Sequence, residues 1–143
     1  MHPLKALRLR VVTALRAAGI TLDVGGEERD VTILEQPPTG GAIPDTMLPA
    51  LYCYVRSERI APDCMACDER TVLLDLVLQA QGYDQQPVDQ VDDLQLAVER
   101  VIAAAGSLGG LVMVIRPVGS EINVERGEVI FAARRLTFEA RIL

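Results

Sequence analysis

"RTVLLDLVLQAQ", residues 70–81, decides the architecture. Val72, Leu74, Leu76, Leu78 and Ala80 recur at every second position. Successive side chains of a strand point to opposite sides, so this spacing puts a fully apolar face on an extended chain. Thr71, Asp75 and Gln79 fall on the opposite face.

The stretch "ALYCYVRS" (50–57) alternates in the same way. Leu51, Cys53 and Val55 point one way, and Tyr52, Tyr54 and Arg56 the other. About a dozen residues, "ERIAPDCMACDE" (58–69), join the two runs. That length predicts an antiparallel hairpin with an extended tip. Upstream, "PPTGGAIPDTMLP" (37–49) holds four prolines and two glycines and reads as a loop. It is long for a compact domain and is therefore a candidate functional segment. "RDVTILEQ" (29–36) reads as a strand entered by the turn "GGEE" at 25–28.

The chain opens on "PLKALRLRVVTALRAA" (3–18), which has helical period. Leu4, Leu7, Val11, Ala14, Leu15 and Ala18 share one face, while Lys5, Arg8, Thr13 and Arg16 lie mostly opposite. Pro3 suits the first turn and Gly19 the C-terminal cap. A second helix is predicted over 88–105, with Val91, Leu94, Val98, Val101, Ile102 and Ala105 as its apolar stripe. Asp89 is placed as its N-cap, and Asp92 and Asp93 favour the positive helix end. Gly106, Gly109 and Gly110 stop it.

Two strands finish the chain. "LVMVIRPV" (111–118) is apolar on both faces and predicts a strand covered on two sides. A polar stretch, 119–128, follows. In 129–143, Leu136, Phe138, Ala140 and Ile142 alternate with Arg135, Thr137, Glu139 and Arg141. The order α-β-β-β-α-β-β predicts an α+β fold, with two helices on one face of an antiparallel or mixed sheet, in a single domain spanning 1–143.

The 143 residues suffice for one core. Trp is absent and only five residues are Phe or Tyr, so Leu, Val, Ile and Ala must build it. Residues 1–18 carry four basic groups and no acid; with the net charge at −6, the remaining 125 residues carry −10. Acids concentrate at 84–99. That balance disfavours tight duplex binding and membrane surfaces. The interleaved charges of the first helix leave no apolar core for a signal peptide. Three cysteines form no complete disulfide framework, and a reducing, cytosolic setting is the simpler expectation.

Cys64 and Cys67 stand in a CxxC spacing within "DCMACDER" (63–70). A closed zinc site needs about four ligands. The remaining donors are Cys53, expected in the core, His2 at the terminus, and the carboxylates Asp63, Asp68 and Glu69. A redox pair needs a helix N-terminus to lower the thiol pKa, whereas a strand follows here. A lone His at position 2 anchors no catalytic triad, and no glycine pair matches a phosphate loop. The pattern is that of a non-enzyme without a cofactor. A zinc or thiol protein using Cys64 and Cys67 is the minor alternative.

Taken together, "RDVTILEQ", "MLPALYCYVRSERIAPD", "RTVLLDLVLQAQG", "DDLQLAVERVIAAAG" and "ARRLTFEARI" resemble, in layout and chain size, the tail terminator proteins of long-tailed phages, the minor tail protein U family of phage lambda and its relatives. The resemblance is one of whole-chain layout, without a diagnostic motif. It implies a structural virion protein: a hexameric ring that caps the tail tube, stops its polymerisation and presents a surface to the head–tail connector. DNA passes through the lumen. Localisation would be the virion tail, and the host cytoplasm during assembly. A head–tail connector completion protein of similar fold is the alternative. A divalent cation effect on oligomerisation fits the abundant carboxylates. Ring closure needs head-to-tail contacts. Candidate surfaces are 37–49, 58–69 and 119–128. Candidate interaction residues are Arg59, Asp63, Asp68, Glu69, Asp92, Asp93, Arg134 and Arg135; Arg134, Arg135 and Arg141 are open to pairing with a neighbour or within the sheet.

Overall fold

A computed structural model describes residues 1–40, 42–61 and 69–142. The elements are α1 (Pro3–Ala18), β1 (Thr21–Val24), β2 (Glu27–Asp30), β3 (Thr32–Leu34), β4 (Ala50–Ile60), β5 (Arg70–Gly82), α2 (Gln86–Ala105), β6 (Val112–Glu125) and β7 (Ile130–Ile142). The expected α+β fold is observed. A mixed five-stranded sheet runs β3-β4-β5-β7-β6, with β3 parallel to β4 and the other neighbours antiparallel.

β5 lies at the centre because its alternation gives it an apolar face to bury. Val72, Leu74, Leu76 and Leu78 are fully buried. They meet Leu51 and Cys53 of β4 and Leu136, Phe138 and Ala140 of β7, beneath Leu7, Val11 and Leu15 of α1 and Leu94, Val98 and Ile102 of α2. At ~1.5–3 kcal/mol per buried aliphatic side chain, the β5 quartet alone contributes on the order of 6–12 kcal/mol against unfolding. Both helices pack on this face, α1 over β3 and β4, α2 over β5, β7 and β6. α1 is capped as expected: Gly19 is left-handed (φ 61°), and the Leu4 amide donates to His2 Nδ1 at 3.2 Å. Val12 joins its buried stripe, and Ala18 stays exposed.

Four expectations change. The strand at 29–36 is split. Gly25 and Gly26, both at positive φ (62° and 87°), make a two-residue turn. That geometry closes "TLDV" onto "EERD" as the separate hairpin β1–β2, and β3 then joins the main sheet. α2 starts at Gln86, with Pro87 in its first turn, so Asp89 lies inside that turn and is not the cap. The 37–49 loop is partly a packing element: Ile43 and Leu48 are buried with Ala50 against Leu34, Tyr52 and Phe131. The largest change is β6. It runs on through the supposed connection to Glu125 and occupies the sheet edge, exposed along most of both faces.

Cys53 sits in the core, where burial pushes its thiol up to about 11 from 9.0, with the Arg8 charge opposing. A raised pKa stabilises the fold below the unfolded value, and that contribution is lost as pH rises through the folded value. About 3 kcal/mol of stability should therefore disappear between about pH 9 and 11. Tyr52 and Tyr54 shift the same way, each chiefly through burial. Urea midpoints at pH 8 and 11 are expected to fall further for the wild type than for Cys53→Val.

Candidate assembly surface

On the sheet face away from the helices, Ile43 and Leu48 of the 37–49 loop cover the part around Ala50, Tyr52, Leu34 and Phe131, and among the described residues neither α1 nor α2 packs on this face. Strand pairing places Tyr54, Asp75, Thr137 and Gly119 abreast across β4, β5, β7 and β6. Asp75 is nevertheless fully buried. Its carboxylate accepts from Arg56 Nε at 2.8 Å and from Thr137 Oγ1 at 2.7 Å. Arg56 Nη2 also donates to Thr137 Oγ1 at 3.0 Å. Arg56 is the extra residue where the β4–β5 register shifts between Val55 and Ser57. Such bulges re-aim a side chain, and here the bulge brings the guanidinium onto Asp75. That bond raises the Arg56 pKa. Arg135 stands 4.0 Å from Asp75 and donates to Glu121 on β6 at 2.8 Å. A hollow of about 270 Å³ opens beside this network, lined by Arg56, Arg135, Glu121 and Gly119.

β6 bounds that hollow and carries Met113, Val114, Val118 and Ile122, all large apolar side chains left exposed. Its register with β7 shifts between Val112 and Val114 and again between Pro117 and Gly119. Proline and bulges are devices that blunt a sheet edge against indiscriminate pairing. They occupy the first half of β6 only; from Gly119 to Glu125 the register is regular. At the opposite edge, β3 has three residues, and Arg16 Nη2 donates to the Ile33 carbonyl at 2.8 Å. Among the described residues, one long edge, β6, has no further strand paired to it.

The sequence-derived candidates scatter over this frame. Arg59 is exposed, opposite Thr71 at the far end of the β4–β5 pair. Glu69 accepts from Arg141 Nε at 2.9 Å. Arg134 ties β7 to α2, donating to Asp92 at 2.5 Å and to Gln95 at 3.0 Å. Arg134, Arg135 and Arg141 thus all pair within the subunit. Asp93 is exposed at the end of the second turn of α2. Asp63, Cys64, Cys67 and Asp68 lie outside the described residues. Sequence reasoning missed Arg56, Asp75 and Thr137. The available signal was an aspartate inside the aliphatic run "LLDLVL" (73–78). Among the described residues, no three His, Cys, Asp or Glu side chains form a metal-binding group. No described helix is long and apolar enough to cross a membrane. The sequence matches no protein-family model and no curated protein.

Proposed function

We propose that the protein is a structural assembly subunit, the terminator of a phage or prophage tail. It forms a closed ring on the tail tube, ends polymerisation and presents its free side to the head–tail connector. One observation carries this reading: a 14-residue edge strand carries the exposed apolar side chains Met113, Val114, Val118 and Ile122. Apolar surface concentrated in this way marks a protein contact site. The resemblance in layout to tail terminators supplies the kind of assembly. The acidic balance suits a lumen through which DNA passes without adhering.

Light scattering across protein concentration, with and without Mg²⁺, tests the ring. Incubation with polymerising tail-tube protein tests the cap. The expected results are a ring-sized species and tubes whose growth stops on addition of the protein. A chain that stays monomeric under every condition and leaves tube growth unchanged would overturn the proposal.

A further inference from the structure

The hollow beside Asp75 lies clear of the 37–49 loop, and Gly119 lines it. Gly119 does not have a left-handed φ, and a Cβ there would meet no atom within 4 Å. Neither backbone conformation nor packing inside the subunit therefore calls for glycine. A glycine inside a strand also marks a place where a ligand or another chain comes close.

The hollow is rich in donors. Arg56 spends Nε on Asp75 and Nη2 on Thr137, which leaves Nη1 without a hydrogen bond among the described residues. Arg135 donates from Nη2 to Glu121, whose side chain is 78% exposed. An ion pair that exposed contributes little and yields to a better-held acceptor. Leu73 and Val118 supply apolar wall beside the two guanidiniums. The occupant that fits therefore combines carboxylates with an apolar side chain. At about 270 Å³ the space lies below the usual ~300–1,000 Å³ of small-molecule pockets and suits a side chain.

The subunit carries such a surface on its other side. Residues 84–99 hold five acids and neither Lys nor Arg. Along α2, Leu94 and Val98 are buried, while Leu96 between them is 47% exposed. Its neighbours one turn away are Asp92, Asp93 and Glu99, with Arg100 the one cation beside them. A lone exposed leucine is ordinary. One bordered by carboxylates matches the hollow in both charge and apolar character.

The hollow faces away from the helix layer and Leu96 faces away from the sheet, so one chain cannot bring them together. We propose that the outer flank of α2 in a second copy docks on this hollow. Leu96 enters it, and the flanking carboxylates meet Arg56 and Arg135. A second copy is the occupant because the two surfaces are opposite in sign and both belong to this chain. Each copy offers the flank on one side and the hollow on the other, so the contact is heterologous, the kind from which rings are built. It rests on the ring reading above and names one of its contacts.

The test uses Gly119→Glu and Leu96→Lys. The first puts a carboxylate into the hollow from the same chain, and the second turns a cation toward the arginines. Position 119 has open space for a side chain and Leu96 is exposed, so the fold is expected to persist in each, which circular dichroism checks. In sedimentation velocity, each variant alone is expected to need about a hundredfold higher concentration to associate. Mixed in equal amounts they are expected to form dimers and nothing larger. The intact flank of the Gly119→Glu chain then meets the intact hollow of the Leu96→Lys chain, and the two remaining surfaces are both blocked. Folded variants that associate as the wild type does, a mixture that stays monomeric, or a mixture that builds full-sized rings would overturn this contact while leaving the ring. A wild type that never associates would overturn the ring and the contact together.

Discussion

Replacing Asp75 with alanine is expected to lower the unfolding free energy by about 2–4 kcal/mol, read from urea denaturation. The carboxylate is fully buried and is the common acceptor for Arg56 and Thr137. Its removal leaves the Thr137 hydroxyl, 8% exposed, with a lost acceptor and opens a void in the middle of β5. The Arg56 side chain is 38% exposed and recovers hydration, so it adds little to the cost. The double change Asp75→Leu with Arg56→Met is expected to recover most of the loss, because an apolar replacement of a buried ion pair removes both desolvation penalties at once. An Asp75→Ala protein within about 0.5 kcal/mol of the wild type would mean that the network contributes nothing to the fold. The comparison separates two roles. If only the polar network sustains assembly, the apolar double variant folds but fails to associate. If the network merely fixes the β4–β5–β7 register, it folds and associates.

The residues also show what a sequence can reveal about such a fold. β5 and the second half of β7 were legible because each has one buried face against the helices, and burial enforces strict alternation. α2 was legible for the same reason at the helical period. β6 was not. Its apolar residues at 112–118 suggested a covered strand, yet an edge strand between two register shifts has no alternation to read. Its continuation, "GSEINVE", is polar and lies where the sequence suggested a connection. Pairing with Phe131–Thr137 of β7 makes it a strand, and that is a tertiary effect invisible to local pattern. The acid–base candidates were half legible. Charge clustering singled out Asp92, Asp93, Arg134 and Arg135, but not that Arg134 would be used inside the subunit while Asp93 faces an open notch. Asp75 illustrates the limit most sharply. Period placed it correctly on the face away from the helices, but its partner Arg56 reaches it only through a bulge that local sequence does not announce.

Val118→Lys combined with Ile122→Lys is expected to abolish association or tube capping while moving the thermal midpoint by no more than about 2 °C. Both side chains are largely exposed in the single subunit, at 48% and 43%, so charging them leaves the core intact. In an assembled state they would be covered, and a buried, unpaired ammonium is then strongly unfavourable. Two binding modes are distinguishable at this edge. Residues 119–125 are free of proline and regular in register, so their outward backbone groups are available to a partner strand. Residues 112–118 are blunted by Pro117 and two register shifts, and offer side chains only. The short β3, closed by Arg16, is a poor strand for a neighbour to contribute, which argues against one sheet running continuously around a ring. Loss of association in the lysine variant places the β6 edge between subunits. Intact association with loss of capping places it against the tail tube. A variant that associates and caps like the wild type removes the observation on which the assembly reading stands.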